Sequence, residues 1–178
     1  MKVLIVSDTH GKEGNLKEAI RREQPIDMLI HCGDVEGGEE KIRQMAGCPV
    51  HMVAGNNDFF CDLPREKEFE IGKYRVLLTH GHYYYISMGT EMLKEEAKAR
   101  SFDIAMFGHT HRPYLEQDKE VTVLNPGSMS YPRQEGRKPS YMVMELDEKG
   151  DAHYTIKYIC KNLENNLKKV VDNFTFIQ

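Results

Sequence analysis

Residues 2–10 read Lys-Val-Leu-Ile-Val-Ser-Asp-Thr-His, and this stretch decides the fold class. Lys2–Ser7 is apolar and β-branched without alternation, the mark of a strand buried on both faces. Polar Asp8 and His10 follow at its end. Outward from there, Gly11–Gly14 breaks the run, and Leu16, Ala19 and Ile20 then recur at helical spacing. Asp27–His31 is a second short apolar strand. A second helix, with Ile42, Met45 and Ala46 on one face, leads to a third strand over Pro49–Ala54. A β-α-β-α-β order implies parallel strands joined by right-handed crossovers.

The second half has a different rhythm. Glu68–Ile71 and Tyr74–Thr79 flank Gly72-Lys73 as a hairpin would. Met88–Arg100 reads as a helix burying Met88, Met92, Leu93 and Ala97. Asp103–Phe107, Val121–Leu124, Ser140–Leu146 and Ala152–Ile159 read as strands. In the last, Tyr154, Ile156 and Tyr158 alternate with Thr155 and Lys157, as in a half-solvated antiparallel strand. No repeat or linker interrupts residues 1–178, so one domain is expected. The polar tail 161–178 reads as either helix or extended chain. The fold class is α/β, with two packed sheets flanked by helices.

Composition narrows the functions. The chain has 178 residues, 40% hydrophobic and 29% charged, the balance of a globular protein with an ordinary core. Its net charge of −4, with no run of five like charges, argues against a footprint for duplex nucleic acid. A small nucleotide stays open, because a local metal charge can hold a phosphate on an acidic protein. No apolar run approaches the roughly 18 residues of a membrane span. Segment 1–7 is likewise too short for a signal peptide, so a cytoplasmic protein is expected, and in that compartment Cys32, Cys48, Cys61 and Cys160, which form no CxxC pair, read as free thiols. Cys32 and Cys160 end apolar runs and read as small core residues.

Polar groups able to bind metal gather at strand ends, where open α/β sheets put their sites. Ser7-Asp8-Thr9-His10 follows the first strand, His31-Cys32-Gly33-Asp34 the second and Gly55-Asn56-Asn57-Asp58 the third. His80-Gly81-His82 follows Val76–Thr79, and Gly108-His109-Thr110-His111 follows Asp103–Phe107. Any one of these is more often a turn than a ligand. His-x-His is stronger, because residues two apart on extended chain face one side. Five such strand ends in succession point to a shared site.

Mixed imidazole and carboxylate ligands suit manganese, iron, zinc, nickel or cobalt, whereas oxygen-only shells suit magnesium or calcium. Seven ligands (two Asp, one Asn, four His) exceed one tetrahedral ion and suffice for two ions about 3.5–4 Å apart. Two divalent ions, less Asp8, Asp34 and a bridging hydroxide, leave the site positive. That suits an anionic phosphate ester.

Asp8-x-His10, Gly33-Asp34, Gly55-Asn56, His80 and Gly108-His109-x-His111 resemble the motifs of calcineurin-like metallophosphoesterases. Their order and spacing resemble the small bacterial and archaeal phosphodiesterases of that superfamily. The resemblance runs from Met1 to about Ile159, and Asn125-Pro126-Gly127-Ser128 resembles a loop of the same subgroup. It implies a four-layer α/β/β/α sandwich of two mixed sheets flanked by helices. It also implies hydrolysis of phosphodiesters by a hydroxide bridging two divalent transition-metal ions, manganese foremost. One ion would be held by Asp8, His10 and His111 and the other by Asn56, His80 and His109, with Asp34 bridging. His82 competes for the His80 role; His80 is preferred because it ends the strand directly, leaving His82 to line the pocket.

One departure matters. Many family members read Gly-Asn-His-Asp/Glu, with a histidine that assists the leaving group or the phosphoryl oxygens. Here Asn57 takes that position, and an amide donates a hydrogen bond but shuttles no proton at neutral pH. Asn57 and His82 are therefore the catalytic candidates, with His82 a substitute acid. Arg133, beside Arg112, is the candidate for a phosphate contact with Asn57. Tyr83-Tyr84-Tyr85 reads as a packed or subunit-facing cluster before a substrate wall. His31, His51 and His153 read as structural or exposed.

The expected partner is a small phosphodiester or nucleotide-like substrate, with no membrane and with homo-oligomers left open. The competing reading is a non-catalytic interaction scaffold of the retromer-subunit type. All seven positions carry competent ligands, which favours the enzyme. A barrel-type zinc amidohydrolase is disfavoured, since that fold needs roughly 200 or more residues.

Overall fold

Strand β1 (Lys2–Val6) lies in the middle of the first sheet and is buried along almost its whole length. Its alternate residues serve two cores, which explains the unbroken apolar run. Leu4 and Val6 pack with Leu16, Ala19, Ile20, Ile42 and Ala46, the buried faces of helices α1 (Gly14–Glu23) and α2 (Glu39–Ala46). Val3 and Ile5 face the other way, into a core shared with the second sheet. The computed structural model describes residues 1–160, and the tail from Lys161 lies outside the described residues.

Both sheets are mixed and five-stranded. In the first, β1 pairs in parallel with β2 (Met28–His31), and β2 in parallel with β3 (Val50–Met52). The hairpin of β9 (Ser140–Leu146) and β10 (Ala152–Tyr158) completes it, β9 running antiparallel to β1. The second sheet has the order β4-β5-β6-β8-β7, from strands Glu66–Ile71, Tyr74–Thr79, Ile104–Met106, Thr122–Pro126 and Pro113–Gln117 respectively. There β5, β6 and β8 run parallel, with β4 and β7 antiparallel at the edges.

Val76, Leu78, Ile104, Met106 and Leu124 meet Val3, Ile5, Ile30, Met142 and Met144 between the sheets. On the outer face, Leu77, Ala105 and Val123 pack against Leu93 and Ala97 of α3 (Glu91–Ala99). The layers are therefore helix, sheet, sheet and helix. No helix among the described residues is long and apolar enough to cross a membrane.

Three details differ from the sequence reading. Helix α3 starts at Glu91 rather than Met88, because Gly89 sits at φ 150°, outside helical space. Met88 and Met92 are consequently 89% and 51% exposed, and Leu93 with Ala97, one turn apart, forms the buried stripe. Strand β7 was not anticipated: it opens on Pro113, which a sheet edge tolerates because no ladder partner needs its missing N–H. Cys160 lies past the edge strand β10 and is exposed, not a core residue.

Candidate metal centre

The parallel strands deliver the five motifs to one place. Asp8, Asp34 and Asn56 follow β1, β2 and β3; His80, His109 and His111 follow β5 and β6. Five of the seven candidate ligands have left-handed backbone: Asp8 (φ 54°), His10 (48°), Asp34 (56°), His109 (65°) and His111 (58°). Such conformations are uncommon outside glycine and gather at functional sites. Backbone hydrogen bonds hold the loops in this shape, from Asp8 N to Gly33 O (3.0 Å) and from His10 N to Asp34 O (3.0 Å). Glycine is needed at Gly55 and Gly108 for close approach. A Cβ at Gly55 would lie 2.1 Å from Asp34 Oδ1, and one at Gly108 would lie 2.1 Å from Ser7 Oγ.

The imidazoles are oriented from behind. His10 Nδ1 lies 2.7 Å from Glu36 Oε1, His80 Nδ1 2.7 Å from the Cys32 carbonyl and His111 Nδ1 2.7 Å from the Tyr131 carbonyl. Each acceptor requires the proton on Nδ1, as metal-binding histidines commonly arrange it. The Nε2 lone pairs then turn inward and meet other acceptors. His111 Nε2 is 3.1 Å from Asp8 Oδ1, His10 Nε2 is 3.4 Å from His111 Nε2, and His80 Nε2 is 3.1 Å from Asn56 Oδ1. His109 Nδ1 is 2.8 Å from the same Asn56 oxygen. Facing lone pairs repel unless a cation or a proton lies between them.

These separations fit a metal. Donors about 2.0–2.1 Å from one ion stand roughly 2.8–3.4 Å apart at adjacent octahedral or tetrahedral positions. Ligand atoms of Asp8, His10, Asp34 and His111 all lie within 4.8 Å of one another. The Asp8 carboxylate is fully buried, and neither of its oxygens has a hydrogen-bond partner of acceptable geometry among the described residues. A buried anion left that way is costly without a counter-cation. Burial acts to raise the Asp8 carboxyl, but His111 and His80 outweigh it and hold the group below its usual range. Burial acts to lower His111, and contact with Asp8 raises it instead. The residues present therefore fit divalent ions.

Asp34 faces both halves of the cluster, with Oδ2 3.8 Å from His10 Nε2 and 3.5 Å from His80 Nε2. Asn57 donates to the same carboxylate twice, from its backbone N–H to Oδ1 (2.8 Å) and from Nδ2 to Oδ2 (2.6 Å). Its side chain thus holds Asp34 rather than reaching into solvent. His82 occupies a one-turn 3-10 helix (His82–Tyr84), its ring 5.4 Å from that of His80, and lines a cavity with Asn56 and Arg65. Burial, aided by His80 and His109, pushes it down to about 4, so it is neutral at pH 7 and poorly suited to deliver a proton. Arg133 is exposed and lines a different cavity, with His10 and His111. Of the three tyrosines, Tyr83 and Tyr85 are exposed, whereas Tyr84 donates its hydroxyl to Glu66.

Behind the ligands stand further supports, of which Glu36 and Asp58 were not singled out from the sequence. Asp58 accepts from the backbone N–H groups of Val35 (3.1 Å), Glu36 (2.6 Å) and Gly55 (2.8 Å), tying the Asp34 loop to the Asn56 loop. Asn125 donates to Gly108 O (2.7 Å), and Ser128 Oγ donates to Asp8 O (3.0 Å). Buried His31, pushed down to about 4 by burial, lies 3.0 Å from Thr9 Oγ1 and accepts from Gly33 N. Acidic residues two places past a ligand were the available signal for Glu36 and Asp58.

Residues 1–149 match the calcineurin-like phosphoesterase superfamily domain. The chain belongs to that family. Within it, the phosphodiesterase YfcE of Escherichia coli K12 is 39% identical over 172 residues, spanning 83% of this chain and 89% of its own. A conserved uncharacterized protein of Streptococcus pneumoniae TIGR4, described as a predicted phosphoesterase, superposes with TM-score 0.75 at 28% identity. That match covers 89% of this chain and 88% of the other. Zinc-complexed Vps29 of Entamoeba histolytica shares the fold, with TM-score 0.71 at 23% identity over 89% of this chain and 99% of its own.

Proposed function

We propose that this protein is a metal-dependent phosphodiesterase acting on a small phosphodiester or nucleotide-like substrate. The observation that carries the reading is Asp34, whose one carboxylate faces both groups of inward-turned donors. Asp8, His10 and His111 would hold one divalent ion, and Asn56, His80 and His109 the other, with Asp34 in contact with both. Manganese, nickel, cobalt, iron and zinc are all competent for this mixed donor set, and the family resemblance puts manganese first. Two such ions, when bound, supply a nucleophilic water near neutral pH and positive charge beside the phosphoryl oxygens.

The remaining roles fall to the chain. Asn57 fixes the Asp34 carboxylate by two hydrogen bonds and leaves no side-chain acid at its position. A neutral His82 can position the substrate or accept a proton. Good leaving groups are therefore favoured. All four cysteines are free, which suits a reducing cytoplasm.

The test is chelation followed by metal return, assayed on bis(p-nitrophenyl) phosphate with metal analysis of the purified protein. Activity should vanish and return with manganese, nickel or cobalt better than with magnesium, at two ions per chain. Full activity after verified metal removal would overturn the reading. The fold likeness to Vps29 favours a second reading, a non-catalytic interaction scaffold. That reading predicts bound metal with no turnover of any phosphodiester.

A further inference from the structure

The chain contains nine arginines. Five are engaged by carboxylates or carbonyls: Arg21 and Arg22 by Glu18, Arg43 by Val50 O, Arg75 by Arg100 O and Ser101 O, and Arg100 by Glu66. Arg65 lies over the Tyr83 ring, 4.9 Å from its centroid. The remaining three, Arg112, Arg133 and Arg137, are exposed. None makes a side-chain hydrogen bond or ion pair among the described residues, and only their backbone N–H groups donate. All three line one cavity of about 770 Å³, together with His10, His111 and Tyr131.

Three guanidinium groups that line one cavity, with no ion pair among the described residues, form a positive surface able to take an anionic ligand. A guanidinium presents a planar fork that matches phosphate oxygens. A second cavity near the metal centre has the other sign. Its volume is about 920 Å³, it is lined by Glu36, Glu39, Glu40, Asp58 and Asp62, and its one arginine, Arg43, already donates to Val50 O. An anionic extension of a substrate at the metal centre is thus disfavoured beside Asn57 and Glu36 and favoured where Arg112, Arg133 and Arg137 line the cavity beside His111.

The geometry points to an anion subsite in which Arg112, Arg133 and Arg137 receive a second phosphate of the substrate, next to the scissile diester. The substrate class is then a phosphodiester that carries an additional phosphate, not a simple diester. This inference rests on the phosphodiesterase reading above.

The test compares the p-nitrophenyl ester of thymidine 5′-phosphate with the same ester bearing a further phosphate on its 3′-oxygen. Wild-type kcat/KM should favour the phosphorylated ester by about tenfold, the size of two or three exposed charge contacts together. The ratio should fall to about one in R112A/R133A/R137A, with the unfolding midpoint showing an intact fold. Calorimetric titration of chelator-treated protein with inorganic pyrophosphate gives a readout independent of turnover. Binding is expected to wild type and not to the triple variant. Equal kcat/KM for the two esters in wild type, with unchanged pyrophosphate binding in the variant, would overturn the subsite and leave the phosphodiesterase reading standing. If neither ester is cleaved, that reading fails, and the pyrophosphate titration alone still decides whether the arginines form an anion site.

Discussion

Asp58→Ala is the sharpest probe of how the metal centre is held together. Asp58 touches none of the seven candidate ligands' donor atoms, yet its carboxylate accepts three backbone N–H groups, two after Asp34 and one before Asn56. A charge-assisted hydrogen bond contributes about 1.5–3 kcal/mol when buried. Asp58 is half-buried and water can replace part of each bond, so about 1 kcal/mol apiece is the better figure, or about 3 kcal/mol in all. For a chain of this size that lowers Tm by roughly 6–12 °C. The two loops would also lose their mutual register, and weakened support of ligand loops costs about 10–100-fold in metal affinity. Urea unfolding of the chelated protein measures the first effect, and metal titration against a competing chromophoric chelator measures the second. An unfolding midpoint and metal affinity both equal to wild type would refute the clamp. A stability loss with unchanged affinity would refute the link to the metal centre.

The other predictions concern single groups. Asp34→Asn should reduce diesterase activity far more than Asn57→Ala at matched metal content, because only the former removes charge shared by both donor groups; similar activities would show the shared ligand is misassigned. Without an acid at position 57, the wild-type rate should depend steeply on leaving-group pKa across a series of aryl phosphodiesters. Asn57→His should flatten that slope, and coincident slopes would mean Asn57 does not stand in for a catalytic histidine. His31, pushed down to about 4 by burial, stays neutral in the folded protein while the unfolded chain protonates near 6.5. Its stabilising contribution is therefore complete above about pH 6.5 and is lost as pH falls from there toward 4, by at most about 3 kcal/mol. His31→Asn should show a shallower decline of urea stability over that window, and identical pH slopes would contradict the assignment.

Much of the architecture was legible from periodicity. The unbroken run Lys2–Val6 announced a strand covered on both faces, and Leu4 and Val6 do pack on helices while Val3 and Ile5 meet the other sheet. The Gly72-Lys73 turn was likewise visible, and its strands pair antiparallel. Helix boundaries were less legible. Met88 and Met92 fit an apolar stripe in the string, but the helix begins only after Gly89, and both side chains face water. Strand β7 was hidden because Pro113 is a strand signal only at an edge, and edges are not written in one-dimensional order.

The candidate site divides in the same way. Residue type and position at strand ends are local properties, so Asp8, His10, Asp34, Asn56, His80, His109 and His111 could be chosen from sequence alone. What tertiary structure decided is direction and charge environment. That each Nε2 turns inward depends on Glu36, Cys32 O and Tyr131 O, partners distant in the chain for all three imidazoles and supplied only by the fold. That Asn57 spends its amide on Asp34, and that three arginines without a side-chain partner among the described residues line one cavity with His111, depends on loops from separate strands meeting in space. Hydrogen bonds and Coulomb forces act over a few ångströms, whereas the sequence records neighbours only along the chain, so chemistry carried by residue type was readable and chemistry carried by proximity was not.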